Sequence, residues 1–380
     1  MSKIRVVHVL NAVGGIDVYL RSLLTNVNNK EIENIIIHST DDAKTPFTDK
    51  DGNILEDYKL PIYREISPLK DLQAIYSTFK LLKKLKPDLV HAHSAKGGVV
   101  GRVAAKLAGI PSLYTPNAFS YLSTNNPLKR NIYIFIEKLL RGGNSALLAT
   151  SPSEANRGAL DVGFTKDRIL LYNNSIEPPQ SAKPLSIPQT WPDKYICTVG
   201  RPSYQKNTSL LIRVIASVKE KQNIHLVIMG VGHYCEDLQK IKKLITDLKL
   251  EDSITLLDWT SRNDVFSIIK NSALYISTSR YEGLPYSVIE SLALGKPCVV
   301  SNCDGNRDLI EDGVNGYVID DEDPAQYAEK IITLLNDNSK REAMGAESFT
   351  KFTENYNILN TIQNLEDHYK NFVKRFKHGR

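Results

Sequence analysis

The stretch from Leu274 to Pro297 constrains the fold more than any other part of this 380-residue chain. Leu274-Tyr-Ile-Ser-Thr is an apolar run of strand length, bounded by a turn, and reads as a buried strand. Pro285 suits the first helical position, where its fixed φ helps and its missing N–H costs nothing. Gly295, with Pro297 just after it, closes that helix. Glu282 then falls in the turn at the carboxyl end of a strand, and Glu290 about a turn and a half into the helix. Open α/β sheets bind their ligands at that end. The first helical turn has N–H groups without intrahelical partners, so it attracts anions to the same place. Two acidic acceptors beside an anion-attracting helix end suit a polyhydroxylated ligand that carries phosphate.

Other strands run into glycine turns in the same way. Ile4–Leu10 leads to Gly14-Gly15 and then Asp17, where glycine lets a ligand approach the backbone or simply makes the turn. Tyr195-Ile-Cys-Thr-Val leads to Gly200, with Arg201 and Lys206 bracketing the next turn so that two cations and a helix start aim at one place. Ile224–Met229 leads to Gly230 and Gly232, and Ile254–Leu257 to Asp258-Trp259, whose indole either stacks on a base or packs. The spacing G-x-G-x-x-G is absent, so this is no dinucleotide fingerprint.

Leu72, Ile75, Phe79, Leu82 and Leu85 lie at helical spacing, and Pro87 ends that element before a strand over Leu89–His93. Period-two geometry puts His91 and His93 on one face, with Lys96 near the next helix start. Two readings stand for His93 and Lys96: contacts to an acceptor hydroxyl or phosphate, or a satisfied core histidine and a surface lysine. Asn126–Arg141 joins an apolar body to basic ends. It fits a helix resting on an anionic bilayer, or a core helix; the consecutive apolar residues 132 to 136 favour the core. Ser151-Pro152-Ser-Glu154 reads as an N-cap with a capping-box acid.

Length and a 42% hydrophobic content allow two well-cored domains. Prolines 178, 179, 184, 188 and 192 mark a linker over 178–192, between domains 1–177 and 193–355. The first 177 residues hold 23 Lys/Arg against 17 Asp/Glu, an excess that fits an anionic partner or an ordinary solvated surface. No apolar run approaches a membrane span, and the first ten residues are too polar for a secretory signal, so a cytoplasmic protein is expected. Cys197, Cys235, Cys298 and Cys303 show no metal spacing and read as buried thiols.

Glu282 and Glu290, set in Tyr-Glu-Gly-Leu-Pro and followed by Ala-Leu-Gly-Lys-Pro, resemble the Glu-x7-Glu signature of retaining glycosyltransferases of family 4. The resemblance implies an α/β GT-B fold, two Rossmann-like domains facing a cleft, with a C-terminal helix at about 356–376 crossing back to the first domain. It implies a nucleotide-diphosphate sugar donor, taken to be UDP-linked. Arg201 and Lys206 would bind the diphosphate, Glu282 the sugar and Glu290 the ribose, with Gly283, Leu284, Pro285 and Val288 completing the donor site. Gly15 would lie beneath the diphosphate, while Gly14, His93 and Lys96 face a glycan or polyprenyl-diphosphate-linked acceptor. Asn117 stands where the family commonly has histidine, so no imidazole acts there. Cys303-Asp-Gly305-Asn306 resembles the family's glycine-asparagine turn. No metal and no nucleic acid are implied, and the basic first domain would touch the inner face of a membrane peripherally. Asp49-Lys-Asp51 matches the short acidic motif of metal-dependent GT-A enzymes, but it sits in a polar loop before Gly52. Two rivals share the motifs: a sugar-nucleotide epimerase of similar architecture, and a nonenzymatic sugar-nucleotide sensor.

Overall fold

Strands that are apolar on both faces must be covered on both sides, and residues 3–175 contain seven that pair in parallel. The computed structural model describes residues 3–378 apart from 13, 41, 43–44, 64–66, 180–183 and 233–236. The chain forms two units, one running to Ser175 and resuming at Ile358, the other spanning Ile176–Asn357.

In the first unit the elements are β1 (Ile4–Val9), α1 (Gly15–Leu24), β2 (Ile32–Ser39), β3 (Asp57–Leu60), α2 (Pro68–Leu85), β4 (Leu89–His93), α3 (Ser94–Ala108), β5 (Ser112–Thr115), α4 (Pro127–Leu140), β6 (Ser145–Ala149), α5 (Pro152–Arg157) and β7 (Ile169–Leu171). Strand order is β3-β2-β1-β4-β5-β6-β7, so the direction of winding reverses between β1 and β4. That reversal marks the place where such sheets take ligands.

The register of β1 on β4 sets His8 beside His91 in the sheet interior. With His93 they form a fully buried cluster in which one nitrogen of each ring lies within 4.8 Å of the other two. The hydrogen bonds assign every tautomer. Asn34 Oδ1 accepts from His8 Nε2 at 3.0 Å, which leaves His8 Nδ1 to accept from His93 Nε2, also at 3.0 Å. Thr115 Oγ1 donates to Leu148 O, so it accepts from His91 Nε2 at 2.9 Å. His91 Nδ1 is then the acceptor for the Tyr369 hydroxyl at 2.7 Å. Burial holds His91 and His93 well below the usual histidine range and brings His8 down to about 4, so all three are neutral at pH 7.

Tyr369 comes from the C-terminal helix, Ile358–His378, which belongs to this unit. Glu366 accepts from Asn28 N at 2.7 Å, Lys377 pairs with Asp88 at 2.7 Å and Arg375 with Asp167 at 2.6 Å. The exposed pairs are worth little singly. The buried tyrosine bond matters more, because its loss strands an acceptor in the core.

The second unit contains β8 (Ile196–Val199), α6 (Thr208–Lys219), β9 (Leu226–Met229), α7 (Leu238–Asp247), β10 (Ile254–Leu257), α8 (Arg262–Asn271), β11 (Tyr275–Ser277), α9 (Tyr286–Ala293), β12 (Cys298–Ser301), α10 (Asp304–Leu309), β13 (Gly316–Ile319), α11 (Pro324–Asn336) and α12 (Asn338–Asn355). Its parallel sheet is ordered β10-β9-β8-β11-β12-β13, with the reversal between β8 and β11. Cys197, Cys298 and Cys303 are buried free thiols; Cys235 lies outside the described residues.

Residues 184–192, expected within a linker, are part of this unit. Leu185 and Ile187 pack on its core, Trp191 is buried edge-on to Tyr195, and Ser186 N donates to Asp264 Oδ1 at 2.7 Å. Apolar side chains between the prolines are enough to stitch the extended chain down. Residues 180–183 of that stretch lie outside the described residues.

Replacing Tyr369 with Phe leaves His91 Nδ1 buried without a donor. A loss of about 1–3 kcal/mol is expected in urea unfolding at pH 7.

Candidate active site

In the second unit the sheet's reversal joins two loops, one after β8 and one after β11. A Cβ at Gly200 would meet the Lys206 methylenes at 3.0–3.2 Å, so glycine is what lets that lysine fold back over the turn. The loops are tied to each other: Arg280 N donates to Gln205 O at 2.8 Å, and Thr278 Oγ1 to Lys206 O at 3.1 Å. Lys206 Nζ then reaches Glu282 Oε1 at 2.6 Å. Gln205 Nε2 donates to Glu282 Oε2 and to Tyr281 O, both at 3.2 Å. Burial by itself would push the Lys206 ammonium down, but the Glu282 carboxylate more than reverses this and holds it above the ordinary lysine value. A charged lysine and an oriented carboxylate therefore sit at the carboxyl ends of the central strands.

Pro285 is the N-cap of α9, with ψ 123, and the helix proper begins at Tyr286, one residue later than expected. The helix's positive end thus follows Glu282 closely. Glu290 is nearly buried, and Arg262 Nη2, from the first turn of α8, lies 3.6 Å from its Oε1. Burial lifts its carboxyl to about 7, against the partial opposition of Arg262. The Gly305-Asn306 pair, expected as a turn, opens helix α10, and the Gly283 carbonyl fills the space a Cβ on Gly305 would take, so this helix start packs directly beneath the acidic loop. Asn306 Nδ2 donates to Ser301 O at 3.2 Å, which pins that helix start.

The other expected donor residues differ in exposure. Leu284 and Val288 point into the apolar core of the unit, 3% and 0% exposed, because their spacing puts them on the inward face of the segment. They support the turn and do not offer side chains to a ligand. Arg201 is exposed on the β8 turn, outside the Lys206–Glu282 pair. Trp259 is 81% exposed at the end of β10, so it is not a packing tryptophan.

In the first unit, Gly14 has φ 62 and ψ −131, a conformation open to glycine alone, and caps α1. Gly15 is exposed on the first turn, and Asp17 is engaged with Arg21 at 2.9 Å. The structure does not bring His93 and Lys96 together. His93 is in the buried histidine cluster, and Lys96 Nζ pairs with Asp71 at 2.7 Å. The burial of β4 on both faces decides this, so the acceptor role for His93 is replaced by a core role.

Asn117 and Ala118 at the end of β5 have φ 52 and 76, two successive non-glycine residues in the left-handed region. Asn117 Nδ2 is buried and without a partner among the described residues. The loop is held by Glu154, whose carboxylate accepts from Ala118 N at 2.8 Å and from Thr150 N at 2.7 Å. Ser151 caps α5 as expected, accepting from Glu154 N at 3.1 Å, but the acid of the anticipated capping box also clamps the strained loop. Asp49, part of the acidic motif, spends its carboxylate on Asp51 N and Asn53 N of its own turn.

Gln205, Arg262 and Glu154 were not singled out by the sequence reading for these roles. Gln205 lies between the two cations that were, and Arg262 follows the Ser261 cap of α8.

Two Rossmann-like units, the second with a lysine and carboxylate joined at its switch point beside a helix start, define a GT-B protein. Family models account for both halves: "Glycosyl transferases group 1" matches residues 186–351, and "Glycosyl transferase 4-like domain" matches 14–174. The chain belongs to the GT-B glycosyltransferases and is family 4-like. The chain is 27% identical to the Escherichia coli UDP-Gal:alpha-D-GlcNAc-diphosphoundecaprenol alpha-1,3-galactosyltransferase, over 98% of each chain. It is 25% identical to the Staphylococcus aureus capsular polysaccharide biosynthesis glycosyltransferase CapM, over 85% of this chain and 89% of that one. Among solved structures, the Thermosynechococcus elongatus sucrose-phosphate synthase superposes with a TM-score of 0.84 at 15% identity, covering 98% and 100% of the two chains. Anabaena Alr3699/HepE in complex with UDP and glucose superposes with a TM-score of 0.78 at 16% identity, covering 97% and 100%. Among the described residues, no helix is long and apolar enough to cross a membrane.

A carboxyl raised from 4.5 to about 7 favours the folded state below its unfolded value and loses that contribution as pH rises through 7. Glu290→Gln is therefore expected to gain about 3 kcal/mol over the parent in urea unfolding at pH 8.5, and little at pH 4.5. Equal differences at both values would show that Glu290 titrates normally.

Proposed function

We propose that the chain is a retaining hexosyltransferase acting in the cytoplasm, moving a sugar from a UDP-sugar to a glycan or polyprenyl-diphosphate-linked acceptor. The observation that carries this reading is the 2.6 Å Lys206–Glu282 pair at the switch point of the second sheet. Relatives named for UDP-galactose and diphosphoundecaprenol, and a structural neighbour solved with UDP and glucose, support the choice of substrates.

In this reading the sugar leaves a diphosphate, and the barrier falls as charge building there meets preorganised cations and a helix N-terminus. Lys206 is kept charged in advance by Glu282. On donor binding it exchanges part of that contact for phosphate oxygens, and exposed Arg201 adds a planar fork. Glu282, steadied by Gln205, accepts hydrogen bonds from sugar hydroxyls. Glu290 accepts from the ribose once ionised, so donor affinity rises through pH 7.

Glu282 is not the nucleophile of a double displacement, since its carboxylate is engaged by Lys206 and Gln205. The acceptor attacks from the side the diphosphate leaves, its proton passing to the leaving phosphate, and the anomeric configuration is kept. The first unit presents the acceptor at the Gly14 turn and the Asn117 loop, where the unpartnered Nδ2 supplies a hydrogen-bond donor. Charge neutralisation by Lys206 and Arg201 stands where other enzymes use a metal.

The test is transfer from UDP-hexoses to a polyprenyl-diphosphate sugar, with the product's anomeric configuration read by NMR. Retention, full activity in EDTA, and a roughly 100-fold or greater drop in kcat for Lys206→Ala are expected. Inversion, or a covalent glycosyl-enzyme trapped on a side chain, would overturn the mechanism. Sugar-nucleotide isomerisation without acceptor would overturn the transferase reading.

A further inference from the structure

His38, buried near the end of β2, has a carboxylate at each ring nitrogen. Nδ1 lies 2.6 Å from Asp42 Oδ1, and Nε2 lies 2.9 Å from Asp57 Oδ2. Carboxylate oxygens only accept, and a neutral imidazole carries one N–H. Both contacts therefore need the doubly protonated ring, or a proton on one of the acids. Asp42 accepts at its second oxygen from Ala12 N at 2.5 Å and from Ser39 N at 3.0 Å, and backbone donors favour the ionised form. Asp57 keeps 33% of its side chain exposed to water, where it too stays ionised. The proton thus belongs to the ring. Burial by itself would push His38 down, but hydrogen bonds to Asp42 and Asp57 and their charges more than reverse this and hold it above the ordinary histidine value.

Ala12 stands two residues before Gly14, between β1 and α1. Asp42 therefore grips the strand end that leads into the glycine turn. The far side of the turn is tied to the same region. Arg21 of α1, engaged by Asp17, donates to Thr45 O and Pro46 O, both at 2.8 Å. Its guanidinium lies 4.4 Å from the centre of the Phe47 ring, and His38 meets that ring edge-on at 5.3 Å. Lys59, in register with His38 on β3, is exposed. The charged groups around the imidazole are thus Asp42, Asp57, Arg21 behind Phe47, and Lys59 at the surface.

We propose that His38 and Asp42 are positioning residues for the acceptor: the imidazolium keeps the buried Asp42 carboxylate on Ala12 N, and this holds the Gly14 turn in the conformation that takes the acceptor. A ring that loses a proton donates at one nitrogen only. Asp57 then turns to water, while Asp42, 2% exposed, is left as a buried anion beside a neutral ring. An uncompensated buried charge is costly, so the segment opens to hydrate it and Ala12 N is released. Acceptor affinity falls as pH rises through the His38 titration. The tie to the acceptor rests on the function proposed above; the imidazolium and its hold on Ala12 do not.

NMR of the full chain labelled with 15N-histidine tests the charge, the His38 signals being those absent from His38→Gln. Both ring nitrogens are expected to be protonated at pH 6, with a midpoint above that of an ordinary histidine. Asp57→Asn, at a partly exposed position, lowers that midpoint. With UDP-hexose saturating, the KM for a polyprenyl-diphosphate sugar is expected to rise roughly threefold or more through the parent's midpoint. In Asp57→Asn the rise moves to lower pH together with the NMR titration. In His38→Gln the acceptor KM stays at the parent's high-pH value throughout. The donor KM keeps its parental pH course in both variants, since Glu290 belongs to the other unit. A His38 that titrates at or below the ordinary value overturns the proposal. So does an acceptor KM with the same pH course in parent and variants, or a donor KM that shifts in parallel with it. Should no UDP-hexose give transfer, the transferase reading fails, and the Ala12 amide, assigned through Ala12→Gly, decides the proposal. Its resonance must follow the His38 midpoint in the parent and in Asp57→Asn; an amide indifferent to that titration overturns it.

Discussion

The contact between Lys206 and Glu282 is the interaction on which the layout of the second unit's switch point depends. Neither side chain tolerates its position well alone: the lysine loses hydration beneath the β8 turn, and the carboxylate is almost wholly enclosed. The contact keeps the lysine charged, and the pair locks two loops from adjacent central strands into one surface. In the proposed function a phosphate-bearing ligand meets a cation already charged and aimed, which is the condition for electrostatic stabilisation without reorganisation. The cost of desolvating the lysine is met by the fold before any ligand arrives.

Buried polar groups elsewhere do comparable orienting work. In the first unit the histidine cluster has one consistent set of tautomers, and its outermost acceptor is completed by Tyr369 from the far end of the chain. That hydrogen bond fixes how the C-terminal helix sits on the sheet more closely than the exposed ion pairs along it. Arg102, Glu137 and Tyr114 similarly decide which side of α4 faces in. Glu154 holds two left-handed residues in place beside Asn117. Each group is costly to leave unsatisfied, so each selects one arrangement from several that apolar packing alone would allow.

The sequence reading and the structure part company at identifiable points. Glycine turns at strand ends made the switch points legible, and the charged residues just after Gly200 and Thr278 followed from them. Burial was harder to read. Val288 and Leu284 sit inside the motif yet pack in the core, in a stretch that is buried almost throughout from 282 to 290. His93 was open between ligand and core until the two-sided covering of β4 decided it. The apolar body of α4 fits a core helix by composition, but its exposure depends on a partner for Glu137 that lies 35 residues away.

By itself the sequence determined the parallel α/β architecture, the glycines at the strand ends, the acidic pair Glu282 and Glu290 with the cations Arg201 and Lys206, and the resemblance that these carry. Such features are local, written in periodicity, turn chemistry and spacing. Only the tertiary structure decided that Lys206 bonds Glu282 while Arg201 stays outside, that Glu290 is buried enough to titrate near 7, and that α4 shows its leucines to solvent. Desolvation and long-range pairing set those outcomes, and both depend on neighbours that arrive from distant parts of the chain.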